Sequence, residues 1–283
     1  MLATLQSELA IAIPASVVSD TPHLREKTAK LGAIARASAV FGVTEIILYP
    51  DQNRDQREDM EFCAQLLGYL ETPQYLRKRM FKLNPMLKYA GILPPLQIPH
   101  HTSPSVLAQV KEGDVREGLV ISHMGRGLLV DVGLEKPVSV LGESSVGDRI
   151  TIRLISVNRD LRGEIAERSK ISIYWGYRVT RSKFKLASLL EKERFNLKIG
   201  TSRFGTRIQE VWKKLSESLE VESILVAFGS PRMGLKEILA QENRTPHEVF
   251  SYYVNTVPNQ TVATVRTEEA IFISLGILNA MRR

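Results

Sequence analysis

The chain has 283 residues, 43% apolar and 24% charged, an ordinary globular balance that excludes a disordered protein and leaves room for two domains. A formal charge of +7 with a sequence pI near 9.5 points to an acidic partner, with nucleic acid ahead of a membrane because no long apolar run or basic amphipathic N-terminus is present. Cys63 is the single cysteine, which excludes an internal disulfide and a cysteine-based metal cage and leaves packing beside Leu66 and Leu67 as its role.

The opening "MLATLQSELAIAIPASVVSD" lacks the charged start and long apolar centre of a secretory signal, so a cytoplasmic location is expected and "LAIAIP" reads as a buried strand ending at Pro14. In "HLREKTAKLGAIARASAVFG", Leu31, Ile34, Ala35 and Phe41 share one side of a helix that Gly42 stops. "TEIILYP" returns as a strand, and strand, helix, strand is the unit of a parallel sheet covered by helices. Arg57 to Leu70 predicts another helix, and "TPQYLRKRMFKLNPMLKYAG" continues helically with interruptions at Pro73 and Pro85. Pro94, Pro95, Pro99 and Pro104 then break any regular element, placing a boundary near Pro99.

From Asp114 to Arg168 the pattern changes to short alternating Val, Ile and Leu runs divided by Gly and Asp turns, as expected of a small antiparallel barrel. "GLLVDVG" and "VGDRITIRLISVNRDLRGEIAE" are similar to an OB-type barrel. After Ile171 helices and strands alternate again: "KFKLASLLEKERFN" as helix, "LKIGTS" as strand, "GTRIQEVWKKLSESLE" as helix, "SILVAFGS" as strand, "GLKEILAQ" as helix and "FSYYVNTVP" as the last strand. The expected division is an α/β domain in two parts, residues 1–98 and 171–283, interrupted by a barrel at 99–170.

The chain closes on "NTVPNQTVATVRTEEAIFISLGILNAM". Pro258 and Asn259 favour a bend, and Ala270, Ile271, Ser274, Leu275, Leu278 and Met281 then recur at helical spacing. Glu268 and Glu269 fall in the first turn, where helix-terminal amides favour carboxylates, and Thr264 or Thr267 is the expected cap. That accounts for "TEEA" but gives "NTVPNQTVATV" no purpose. A loop entering a helix N-terminus offers N–H donors that suit a polar small molecule.

Three segments follow strands in the second half: "GTSRFG" from Gly200, "GSPRMG" from Gly229 and "NTVPNQ" from Asn255. Ligands of open α/β sheets bind beyond the carboxyl ends of strands, so the three are expected to form one pocket. Other chemistries fail on spacing. There is no GxxxxGK[ST] and no GxSxG elbow, and "GRGLLV" at Gly125 lacks the third glycine and falls in the barrel. His100 and His101 are neighbours that would point apart on a strand, and His23, His123 and His247 are scattered, so no metal site is expected.

"LGAIARASAVFGVTEIILY", "TPQYLRKRMFKLNPMLKYAGILPPLQIPHH", "YWGYRV", "GTSRFG", "FGSPRMG" and "NTVPNQTVATVRTEEA" together resemble an archaeal and eukaryotic family of RNA methyltransferases in the SPOUT superfamily, over nearly all of the chain and in the same order. The resemblance implies an α/β fold with a trefoil knot, an inserted barrel, a homodimer, and S-adenosylmethionine held by the knot loops. Chain-path rules alone disfavour threading, so the knot rests on the resemblance. Carried over, the cofactor residues are Thr201 and Ser202; Gly229, Ser230, Pro231 and Gly234; Asn255, Thr256, Val257, Pro258, Asn259 and Gln260; and Val265 and Thr267. Relatives tend to have Gly where Asn259 stands, at a position expected to need positive φ, which Asn tolerates best among other residues.

A sulfonium methyl is already electrophilic, so the enzyme has to align the nucleophile and take its proton. Arg266 is the candidate for orienting a base or offsetting its developing charge, with Glu268 or Glu269 as proton acceptor. RNA-binding candidates are Arg36, then Arg77, Lys78, Arg79 and Lys82 of "YLRKRMFK". Arg178, Arg181, Lys183 and Lys185 of "YWGYRVTRSKFKL" extend the set, beside Tyr174, Trp175 and Tyr177, whose rings are either stacking surfaces or core. The leading expectation is an S-adenosylmethionine-dependent methyltransferase acting on a nucleobase of ribosomal RNA. Its rival is a non-catalytic RNA-binding or assembly protein with the same fold.

Overall fold

A computed structural model describes residues 8–101, 106–125, 127–157, 160–193 and 195–282. The chain separates into two compact units. Of the described residues, one holds Glu8–Leu70, Pro85–Leu96 and Tyr177–Arg282; the other holds those of Glu71–Asn84 and Gln97–Gly176.

The first unit begins with β1 (Glu8–Pro14), α1 (Leu24–Val40), β2 (Glu45–Tyr49) and α2 (Arg57–Glu71). Strand β1 is buried from Leu9 through Pro14 and β2 along its whole length, as continuous Ile, Ala and Leu runs require in a sheet covered on both faces. Gly42, at φ 70°, ends α1 in the left-handed region as its sequence predicts.

The second unit contributes α3 (Gln74–Met80) and five strands: β3 (Val115–Met124), β4 (Gly127–Asp131), β5 (Val138–Leu141), β6 (Arg149–Ser156) and β7 (Arg162–Ile165). They close in the order β3-β4-β5-β7-β6, with β5 and β7 parallel and the other pairs antiparallel. Val120, Leu128, Val130, Val138, Val140, Ile152 and Leu154 fill the barrel. Their alternation with polar neighbours is what made the strands legible.

Beside the barrel core lies a buried ionic cluster. Glu117 receives Arg149 Nε at 2.5 Å, the Thr151 hydroxyl at 2.6 Å and Trp175 Nε1–H at 2.7 Å. Glu71 receives Arg149 Nη1 at 2.5 Å, and Arg168 Nη2 reaches Glu117 at 3.1 Å. Burial works to raise the Glu117 carboxyl, but Arg149 and Arg168 overcome it and hold it down at about 2. For Glu71 burial prevails and its pKa is raised. His100 and His101 do not point apart. They lie on a single 3-10 turn, Pro99–His101, and both donate Nε2–H to the Glu71 carbonyl, at 2.9 and 2.7 Å. Burial lowers each ring to about 4, so both are neutral at ordinary pH. Trp175 and Tyr177 are buried and therefore core.

The chain then returns to the first unit with β8 (Arg178–Arg181), α4 (Leu186–Lys192), β9 (Leu197–Arg207), α5 (Ile208–Ser218), β10 (Ser223–Ala227), α6 (Leu235–Ala240), α7 (Pro246–Val249), β11 (Tyr252–Asn255) and α8 (Thr267–Met281). The sheet order is β11-β9-β10-β1-β2-β8, parallel throughout. Edge strand β8 is hidden in the sequence by its charges: the carboxylate of Glu45 on β2 pairs with Arg178 at 2.9 Å and accepts from Thr180. The helix α8 buries Ile271, Ser274, Leu275, Leu278 and Met281, the face its spacing predicts.

Candidate active site

The carboxyl ends of the six parallel strands differ in how their polar groups are used. Beyond β1 and β2 they satisfy one another: Asp51 accepts from the Ser16 amide at 3.1 Å, the Ser16 hydroxyl at 2.5 Å and Gln56 Nε2 at 2.9 Å. Beyond β9, β10 and β11 three segments instead diverge around a cleft of about 350 Å³. This lies within the usual size range of small-molecule sites.

The first segment is not the loop its glycines predict. It belongs to β9, but Gly200 pairs with Tyr253 and Thr206 with Val254, so residues 201–205 are thrown out of the ladder as a wide bulge. A Cβ on Gly205 would lie 2.5 Å from the Val254 backbone, so glycine is what lets the bulge close against β11. Thr201 and Ser202 line the cleft, and the Thr201 hydroxyl bonds the Ala227 carbonyl at 3.0 Å.

The second segment follows β10. Gly229, Ser230, Pro231 and Gly234 line the cleft. The Ser230 amide reaches the Met233 carbonyl at 2.8 Å, and the Met233 amide returns to the Ser230 hydroxyl at 3.0 Å. From beneath, the buried Tyr49 donates its hydroxyl to the Phe228 carbonyl at 2.6 Å, and burial pushes that phenol up so that it stays protonated.

The third segment follows β11. Asn255, Thr256, Val257, Gln260, Val265 and Thr267 line the cleft; Pro258 and Asn259 do not. Asn259 also lacks the expected positive φ, since among the described residues the non-glycine positions with positive φ are Gln97 and Asn243. The turn is held by side chains instead: Asn255 Oδ1 accepts from the Val257 amide at 2.9 Å, and Gln260 Nε2 donates to the Val262 carbonyl at 2.9 Å.

The three segments are braced to one another. Asn255 Nδ2 bonds the Arg203 carbonyl at 2.9 Å, Arg203 Nη1 bonds the Ala263 carbonyl at 3.1 Å, and the Thr267 hydroxyl bonds the Gly229 carbonyl at 3.3 Å. Such a set of cross-bonds fixes the cleft before any ligand arrives. Its wall alternates hydroxyls with apolar surface from Phe228, Met233, Val257 and Ala270, a mixture that suits a molecule with a flat apolar part and polar ends.

The expected catalytic trio lies outside the wall. Arg266 is exposed at the N-cap of α8, and its amide donates to Glu269 Oε2 at 2.9 Å, so Glu269 caps the helix and neither Thr264 nor Thr267 does. Glu268 is paired with the buried Lys30 at 3.4 Å, which also holds Asp20 at 2.8 Å. The ionisable residues that do line the cleft are Arg203, Arg232 and Glu237; of these only Arg232 falls within a cofactor loop carried over from the resemblance, Gly229 to Gly234. Arg203 and Arg232 stand inside the quoted motifs, which was signal enough, while Glu237 lies in the first turn of α6 and gave none.

The basic candidates divide by use. Arg36 donates to the Leu96 carbonyl at 2.7 Å and pins the proline-rich segment, and Arg77 donates to the Thr72 carbonyl at 2.9 Å. Arg79 pairs with Asp131 at 2.8 Å, Arg178 with Glu45, Arg181 with Glu61, and Lys185 bonds Asn53. Lys78, Lys82 and Lys183 are exposed. No group of His, Cys, Asp and Glu able to hold a metal ion occurs among the described residues. No helix among them is long and apolar enough to cross a membrane.

A family model described as "Putative RNA methyltransferase" matches residues 8–278. A 28S rRNA (uridine-N(3))-methyltransferase from Homo sapiens is 33% identical over 304 residues, covering 95% of this chain and 77% of that protein. One from Drosophila melanogaster is 31% identical and covers 96% and 62%. An uncharacterized protein from Halobacterium salinarum is 31% identical and covers 95% and 97%.

Proposed function

Because this chain belongs to the family described as "Putative RNA methyltransferase", we propose that it methylates a nucleobase of ribosomal RNA, with S-adenosylmethionine as donor and N3 of a uridine as acceptor. The observation that carries the reading is the braced cleft at the ends of β9, β10 and β11. The residues present fit the donor. Gly229 has the Met233 carbonyl 3.0 Å from where a Cβ would stand, so the second segment curls tightly enough to admit a flat ring beside its backbone. The apolar wall suits an adenine, the hydroxyls of Thr201, Ser202 and Ser230 suit a ribose, and the Glu237 carboxylate suits the cationic end of the molecule.

When bound, S-adenosylmethionine supplies a methyl carbon already activated by its positive sulfur. The chain's own task is to hold uracil N3 in line with that carbon and to offset charge as the N3 proton departs to solvent. Arg232 on the wall and Arg266, exposed beside it, are the cations available to the uracil oxygens as negative charge develops. Glu269 is committed to its cap and Glu268 to Lys30, so proton removal is assigned to neither. In this reading the fold is of the SPOUT type, with the third segment threaded as a trefoil knot, the barrel is of OB type, and the protein acts as a cytoplasmic homodimer. The exposed Lys78, Lys82 and Lys183 are the basic candidates free to meet RNA phosphates, and the barrel is a second RNA-binding element.

Isothermal titration with S-adenosylmethionine and with its demethylated product tests the donor site. The wild type is expected to bind both, and Gln260→Ala, which frees the Val262 carbonyl, to bind several-fold more weakly. The acceptor is checked by transfer of labelled methyl to an in vitro transcript of large-subunit ribosomal RNA, followed by nucleoside analysis for N3-methyluridine. Absence of binding by folded protein, with and without that RNA, overturns the reading.

A further inference from the structure

The 201–205 bulge carries a feature that donor binding does not require. Its tip is Phe204, 65% exposed although it lines the cleft. A large aromatic left in water forgoes the burial that would otherwise stabilise the fold, and here it is also held still. The Phe204 amide donates to the Ser202 hydroxyl at 3.2 Å, and the preceding residue is tied to the third segment through the Arg203 carbonyl and guanidinium. Gly205 closes the bulge immediately afterwards, leaving no Cβ to push it away from Val254.

One side of the ring is occupied. The Arg203 guanidinium carbon lies 4.7 Å from the ring centroid, so a cation backs the aromatic. Bulges next to active sites re-aim a side chain, and an exposed aromatic ring carried on a tied-down backbone beside a cleft is a geometry that can stack on an unpaired base. Two cations on the same wall, Arg203 and Arg232, suit the phosphates that flank such a base.

We propose that Phe204, backed by Arg203, is the platform on which the target nucleobase stacks once it has left its helix or loop, and so positions the acceptor atom over the cleft. This rests on the methyltransferase reading above. The ring selects single-stranded or extruded bases by their flat faces, and it contributes to RNA turnover rather than to donor affinity. Phe204 is therefore a positioning residue that touches substrate, and aromaticity rather than hydrophobicity is its required property.

The test compares Phe204→Leu and Phe204→Trp with wild type in two measurements: titration with S-adenosylmethionine, and kcat/KM for labelled methyl transfer to the in vitro ribosomal RNA transcript. Phe204→Leu is expected to keep donor Kd within about twofold and to lower kcat/KM about tenfold or more, while Phe204→Trp recovers most of the loss. Equal kcat/KM for Phe204→Leu and wild type overturns the proposal, as does a donor Kd that weakens in step with turnover, which would make Phe204 part of the donor site. If wild type itself binds no donor, the methyltransferase reading has failed instead, and the two failures are told apart by that single titration.

Discussion

The barrel unit and the sheet unit use polar groups in opposite ways. In the barrel unit Glu71, Glu117 and Arg149 converge in the interior, with the half-exposed Arg168 closing the cluster, and these groups pair with one another. In the sheet unit the polar groups beyond β9, β10 and β11 spend their bonds on bracing three segments apart, so the space between stays open. A sealed ionic cluster specifies how strands meet but recognises nothing, because desolvation has already been met by internal partners. An open, braced wall keeps its recognition capacity at the expense of stability. Perturbed ionisation therefore marks structure in this protein: the strongly shifted carboxyl of Glu117 belongs to the cluster and not to the residues that line the cleft.

Breaking the cluster gives the largest expected effect. Glu117→Ala leaves Arg149 with one carboxylate and removes the acceptors of Thr151 and Trp175, and is expected to cost about 3–5 kcal/mol in urea unfolding. Glu117→Gln, which keeps an acceptor for the Trp175 N–H, should recover a part. A cost under about 1 kcal/mol for the alanine variant would show that the cluster is no more than a surface ion network, and the contrast between the units would collapse.

Acid gives the next effect, and its direction separates the histidines from the glutamate. His100 and His101 have folded pKa values lowered to about 4 against 6.5 for the free group. Their contribution to stability is thus present above about pH 6.5 and is lost as pH falls towards 4, because the unfolded rings bind protons first. The Glu117 contribution, with its folded pKa near 2, is lost only below about pH 4.5. Thermal or urea unfolding from pH 7 to 4.5 is expected to lose about 2 kcal/mol for each ring, and His100→Asn should flatten the slope. An unchanged slope in that variant would remove the buried histidine from the account.

The same contrast explains what could be read from the sequence. The strands β1, β2 and β10 were legible as short continuous apolar runs, and the helices α1 and α8 because their apolar residues repeat at helical spacing. The barrel strands were legible through alternation between turns. Edge strand β8 was hidden because Arg178 and Thr180 are there for the Glu45 carboxylate rather than for a core. Of the cleft, the Gly- and Asn-rich segments that line it could be picked out, since turn chemistry is local. Asn259 was misread because its turn needs no positive φ, and the partners of Glu268 and Glu269 could not be read because they depend on what lies opposite: a buried Lys30 from α1 and an amide awaiting a cap. Phe204 was printed in "GTSRFG" all along, but only the skipped register between Gly200 and Thr206 shows that it projects.

The finest test concerns the brace nearest the closing helix. Thr267 is buried in the first turn of α8, and its hydroxyl holds the Gly229 carbonyl at 3.3 Å, joining the third segment to the second across the floor of the cleft. Thr267→Val keeps the shape but removes the donor, leaving a loop carbonyl to find water. A net hydrogen bond of about 0.5–1.5 kcal/mol corresponds to a two- to tenfold weaker Kd for S-adenosylmethionine, with a much smaller change in the unfolding midpoint because the loop still has its other braces. Thr267→Ser, which retains the hydroxyl, should bind close to wild type. If valine and serine bind alike, the cleft is held by packing of α8 alone, and its openness would be a property of the helix rather than of the polar bracing that distinguishes it from the sealed cluster of the barrel unit.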